Sequence, residues 1–133
     1  MKIKVVCSLI FCLFFLMAIP YHSFSKDKDF QIEGIVFNDK NCNGNRNGSD
    51  PGIQGVTVTL EPGGLVTATN SSGKYKFKNL KPKTYTVTET DPAGYCSTTP
   101  NVRVIKIKNK DVDGQHFGDS KKFISPPGGC CHE

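Results

Sequence analysis

Residues 73–95 read GKYKFKNLKPKTYTVTETDPAGY, and the alternation in this stretch decides the fold. On an extended chain, Tyr75 and Phe77 fall on one side and Lys74, Lys76 and Lys78 on the other. Beyond Lys81-Pro82-Lys83 the same period returns. Tyr85 and Val87 face inward, followed on that side by Glu89. Asp91-Pro92-Ala93-Gly94 then supplies Pro and Gly where the chain must reverse. Two alternating runs joined by a short Pro-containing turn read as half-buried strands.

Working outward, residues 55–61 (GVTVTLE) set Val56, Val58 and Leu60 against Thr57, Thr59 and Glu61. Residues 65–69 (LVTAT), 30–38 (FQIEGIVFN), 102–108 (VRVIKIK) and 115–118 (QHFG) complete seven β-rich segments. Glu61-Pro62-Gly63-Gly64 and Asn70-Ser71-Ser72-Gly73 punctuate them. Residues 102–108 are apolar on both sides, Val102 and Val104 opposing Ile105 and Ile107, so their inward face stays open. No stretch after residue 25 shows a helical period. The expectation is an all-β antiparallel sandwich of about seven strands, with the aromatic residues in its core.

The 133 residues hold one domain. Residues 5–20 (VVCSLIFCLFFLMAIP) carry no charge and follow the basic Lys2 and Lys4. Ser23-Phe24-Ser25 then offers small residues where a signal peptidase reads. Residues 1–25 are therefore expected to be a cleaved signal peptide, residues 26–119 the sandwich, and residues 120–133 a Pro/Gly linker with a Cys-rich tail. The mature chain is expected outside the cytoplasm: secreted, on the cell surface or periplasmic, with no membrane insertion after cleavage. Loss of Lys2 and Lys4 leaves 15 basic against 12 acidic residues, too little net charge and too interleaved to predict nucleic-acid binding. A single apolar run at the start excludes a polytopic membrane protein. About 100 residues also close too small a core for a large cofactor cavity.

Residues 39–50 (DKNCNGNRNGSD) carry the candidate chemistry. Asp39, Asn41, Asn43, Gly44 and Asp50 match a calcium loop at its first, third, fifth, sixth and twelfth places. Calcium is a hard ion that takes six to eight oxygens, and short Asp and Asn side chains at alternate places can converge on one point. Asn45 would offer its backbone carbonyl, and Asn47 stands where a ligand or water often lies. Only two carboxylates are present, and the twelfth place is the shorter Asp50. The expected affinity is weak, on the order of 10⁻⁴–10⁻³ M. The alternative is an Asn/Gly loop held by its own side-chain hydrogen bonds.

Four cysteines remain after cleavage, and outside the cytoplasm they are expected to oxidise. Cys42 lies at a loop place that points away from the ion. A Cys42–Cys96 bond would close about 55 residues, worth roughly 4 kcal/mol if unstrained, but four cysteines allow three pairings. Cys130, Cys131 and His132 follow Ser125-Pro126-Pro127-Gly128-Gly129. They could hold a soft metal such as copper or zinc, link two chains as a disulfide dimer, or do neither. His116 has no catalytic partner by spacing. No nucleophile, acid/base or zinc-protease motif is present, so an enzyme is not expected.

A resemblance binds these parts together. Gly34-Ile35-Val36-Phe37-Asn38-Asp39, Asn41, Asn43-Gly44, Pro51-Gly52-Ile53 and Gly55-Val56-Thr57-Val58 resemble the SdrD B-like repeats of bacterial surface proteins. So do Gly73-Lys74-Tyr75, Phe77, Asn79-Leu80, Pro82, Tyr85, Val87, Glu89-Thr90, Pro92, Gly94-Tyr95 and Phe117-Gly118-Asp119. The resemblance implies a prealbumin-like (Ig-like) sandwich related to collagen-adhesin B-type domains, used as a stalk or spacer and often calcium-stabilised. It implies a non-enzymatic adhesion module with an extracellular protein or glycan partner. The alternative is a small soluble extracellular binder of carbohydrate, peptide or metal. Related B-type domains can carry an internal Lys–Asn bond promoted by an acid. Glu89 matches that acid, but Phe37 stands where the lysine would, so the bond is not expected here.

Overall fold

Each alternating run becomes a strand in the computed structural model, which describes residues 28–121. The predicted signal segment and the tail residues Cys130, Cys131 and His132 lie outside these described residues. The strands are β1 (Phe30–Asn38), β2 (Thr57–Glu61), β3 (Leu65–Ala68), β4 (Lys74–Leu80), β5 (Thr84–Glu89), β6 (Tyr95–Ser97), β7 (Val102–Lys106) and β8 (Phe117–Lys121). They form two four-stranded sheets, ordered β4-β1-β8-β6 and β3-β2-β5-β7. The sandwich is as expected, with two differences. β6 makes the strands eight, and β1 pairs with β8 in parallel, Val36 opposite Phe117 and Asn38 opposite Asp119. The other ladders are antiparallel.

The inward faces meet in one core. Val56, Val58, Leu60, Tyr75, Phe77, Tyr85 and Val87 are buried, on the sides their alternation assigns. Ile32 and Val36 of β1 and Phe117 of β8 fill the centre. Each such side chain contributes roughly 1.5–3 kcal/mol when removed from water. β7 resolves the ambiguous segment: Ile105 and Ile107 are buried, while Val102 and Val104 are exposed. Strand β7 is a sheet edge, and its outer face meets solvent rather than a second layer.

The last strand begins two residues later than its sequence suggests. His116 is not in it. Its Nδ1 instead accepts the amide of Ile35 at 3.1 Å, and burial first, then the charges of Arg46 and Arg103, lower its pKa. Strand β8 runs on to Lys121, two residues past the expected domain edge. Beside Val36 of β1, a close approach fixes glycine twice. Gly73 has φ 73°, and a Cβ there would strike the Val36 carbonyl oxygen and lie 2.6 Å from Gly52 Cα. This contact brings the turn before β4 against the segment that follows the candidate calcium loop.

Candidate metal centre

The chain leaves β1 at Asn38 and turns at once into residues 39–50. Asp39 is fully buried and Asp50 nearly so, whereas Asn41, Asn43 and Asn45 are exposed and Asn47 is half-buried. The two carboxylates tie the loop from opposite ends. Asp39 reaches forward, its Oδ1 accepting the Asn43 amide at 3.2 Å and its Oδ2 the Gly44 amide at 2.7 Å. Asp50 reaches back, its Oδ1 accepting the Lys40 amide at 3.3 Å and its Oδ2 the Asn47 amide at 3.0 Å. Between them the asparagines make local turns. Asn41 Oδ1 accepts the Asn43 amide at 3.4 Å, and Asn43 Oδ1 the Asn45 amide at 2.8 Å. Asn47 Oδ1 takes both the amide and the hydroxyl of Ser49, at 3.0 and 2.6 Å. Gly44 supplies the left-handed residue of the turn, at φ 71°.

The loop thus has the side-chain hydrogen bonding that an Asn/Gly-rich sequence predicts. These bonds do not exhaust the acceptors. A carboxylate oxygen has two lone pairs, and each of these four oxygens uses one. The donors that remain are all hard oxygens, which suit calcium and not a soft metal.

The loop rests on the end of the β8 ladder. The Asp39 amide donates to the Asp119 carbonyl at 2.8 Å. The amides of Thr98 and Thr99 converge on the Gly118 carbonyl, at 2.7 and 3.2 Å. Gly44 lies over the same pair, where a Cβ would sit 3.6 Å from the Thr98 carbonyl oxygen. Cys42, a non-glycine residue at φ 55°, and Cys96, buried on β6 opposite Ser120, are carried by segments that meet at this corner.

Two acids on the same flank were not legible as a pair. Glu89, at the end of β5, is 2% exposed, and Asp119, on β8, is 0% exposed. Burial, then the charges of Asp119 and Asp91, push the Glu89 carboxyl up to about 8. Burial, then Asp91, pushes Asp119 up to about 7. The alternation marks Glu89 as inward, but nothing in sequence links it to an acid thirty residues away on a strand of the other sheet. Phe37, in the position where the resemblance would want a lysine, is buried beside Gly118.

The SdrD B-like domain model matches residues 30–124, which covers nearly all of the described fold. The bone sialoprotein-binding protein of Staphylococcus aureus (strain MRSA252) is 38% identical over 95 residues, covering 68% of this chain and 8% of that protein. Serine-aspartate repeat-containing protein E of Staphylococcus aureus (strain MSSA476) matches to the same extent. The chain therefore spans less than a tenth of the length of these relatives. Among solved structures, the minor pilin GBS52 of Streptococcus agalactiae superposes with a TM-score of 0.55 at 14% identity, over 76% of this chain and 48% of the pilin. BcpA, the major pilin subunit of Bacillus cereus, gives 0.53 at 18%, over 71% and 29%. At such identities the pilin likeness concerns the fold alone.

Proposed function

The chain belongs to the SdrD B-like domain family, and from that premise we propose that it is a structural module of a bacterial surface or extracellular protein, a spacer rather than a catalyst. The observation that carries this reading is the pairing of the first strand with the last. Because β1 and β8 run parallel, the chain enters at one end of the sandwich and leaves at the other. Phe30 lies six residues before the paired Val36, and Lys121 four residues after Phe117. At about 3.3 Å per residue, the two ends are separated by roughly 33 Å along the sheet. A module that adds length in this way suits a stalk.

Three finer features complete the reading. The loop of residues 39–50 takes calcium as a structural ion, held by Asp39, Asp50 and the oxygens of Asn41, Asn43, Asn45 and Asn47. Cys42 and Cys96 form a disulfide that ties this loop to β6. The export signal is removed after Ser25.

Labelling intact producing cells with a membrane-impermeant amine reagent, followed by N-terminal sequencing, tests the surface assignment. The expected product is a labelled chain that begins at Lys26. An unlabelled cytoplasmic chain that keeps Met1 would overturn it.

A further inference from the structure

The described residues bring together a second set of hard oxygen donors, outside the loop. Glu89 of β5, Asp91 of the turn after it and Asp119 of β8 each offer a carboxylate oxygen, and these lie within 4.8 Å of one another. None of the four carboxylate oxygens of the buried Glu89 and Asp119 receives a hydrogen bond from the protein. Asp39 and Asp50 are as deeply buried, yet all four of their oxygens are matched to amides. Burial of an unmatched carboxylate is costly, and placing two side by side adds repulsion. The charges pushing on Glu89 are those of Asp119 and Asp91, which are of the same sign.

The surroundings supply what a cation would need. Asp91 stands at the surface, on the solvent side of the group. Its Oδ1 is fixed by the Ser97 hydroxyl at 2.7 Å and by Asn101 Nδ2 at 2.6 Å. The amide oxygen of Asn101 is buried and receives no donor, while its backbone carbonyl accepts the Glu89 amide at 2.9 Å. A neutral oxygen is therefore held beside the acids on a side chain already bonded to one of them.

We propose that Glu89, Asp91 and Asp119, with the amide oxygen of Asn101, form a second cation site, separate from the loop, that takes calcium. Two oxygens bound to one calcium at about 2.4 Å each lie at most about 4.8 Å apart, and these carboxylate oxygens fall within that limit. The donors are all oxygens, and an ion that displaces the protons of Glu89 and Asp119 would meet an anionic group, which matches a hard divalent ion and not copper or zinc. The site spans the two sheets, β5 in one and β8 in the other, so the ion clamps the layers together. Asp91 at the surface gives it a route in.

Native mass spectrometry of the intact chain in calcium counts the ions. Asp39→Asn with Asp50→Asn removes both loop carboxylates, and this variant is expected to keep one calcium. Glu89→Gln is expected to bind one fewer than the parent chain, and the combination none. An unchanged count in Glu89→Gln would overturn the site, as would a loop variant that binds no calcium. Failure of the loop reading alone leaves a different trace, because Glu89→Gln then abolishes all binding. Asp91→Asn, a surface change that leaves the interior intact, repeats the comparison if Glu89→Gln does not fold and is read by the same rule.

Discussion

Asp39 holds the amides of Asn43 and Gly44, so Asp39→Ala unties the loop before any ion is considered. Two hydrogen bonds to a charged acceptor are worth about 1.5–3 kcal/mol each, which puts the expected loss at about 3–6 kcal/mol in EDTA. Calcium adds a separate effect. With the weak affinity of extracellular modules, roughly 10 mM calcium stabilises the parent chain by about 1.5–2.5 kcal/mol. Thermal melts in calcium and in EDTA measure both quantities. A parent midpoint that ignores calcium removes the ion from the loop, and a shift that survives Asp39→Ala belongs to the acid cluster instead. Glu89 and Asp119 predict an opposite pH response from that of an ordinary paired acid. Their folded-state pKa values are raised, to about 8 and about 7. The native state therefore holds protons that the unfolded chain has released. That contribution is complete only below the unfolded carboxylate range, at about pH 4, and declines as pH rises until it is gone above the folded pKa values. Each retained proton tilts stability by about 1.4 kcal/mol per pH unit. In EDTA the urea midpoint should fall from about pH 5 to pH 8, and Glu89→Gln should flatten the slope. A midpoint that climbs across this window sinks the prediction.

At the level of the elements, sequence period carried as far as each strand has two unlike faces. β2 and β5 alternate cleanly along their length, and β4 does so as far as Lys78; at Asn79, with φ 57°, the period breaks and Leu80 turns inward. β7 does not alternate cleanly, because Val102, Val104, Ile105 and Ile107 are all β-formers, and an edge strand tolerates apolar residues outside. Only packing decides it. Ile105→Ala should therefore cost about 2–4 kcal/mol, the cavity cost of a buried aliphatic. Val104→Thr, at 72% exposure, should stay within about 0.5 kcal/mol. A larger loss for Val104→Thr than for Ile105→Ala in denaturant titrations would mean that the strand faces the other way. β6 escaped notice because it has three residues and one partner, β8, too short to show a period. The parallel β1–β8 ladder is equally silent, since a strand's own residues say nothing of its neighbour's direction. The candidate sites divide along the same line. The loop of residues 39–50 is contiguous, and its spacing is visible. Glu89, Asp91 and Asp119 meet only because β5 and β8 are stacked.

In the proposed spacer role the described domain would be loaded through its first and last strands, and their geometry fixes how it resists. Beside β1, the chain from Val112 to Asp119 runs in the same direction. Glu33 and Val112 amides donate to Val112 and Gln31 carbonyls at 3.0 and 2.9 Å, Gln115 donates to Glu33 at 3.1 Å, and the β8 ladder takes over from Val36. Pulling the two ends apart loads these bonds side by side, in shear. An antiparallel terminal pair would instead peel them one at a time. A spacer that bears tension is therefore expected to unfold in one cooperative, high-force step. The length released also reports the cross-link. The 94 described residues, at about 3.6 Å each less the folded span, release about 300 Å. A Cys42–Cys96 bridge withholds the ~54 residues it encloses, about 190 Å. Single-molecule stretching of the full chain should thus show a short step of about 110 Å in oxidising buffer and the long one after reduction. Long steps in both buffers would eliminate that bridge while leaving the shear geometry intact. Gradual extension at low force would eliminate the spacer itself, because the parallel ladder would then not be what carries the load.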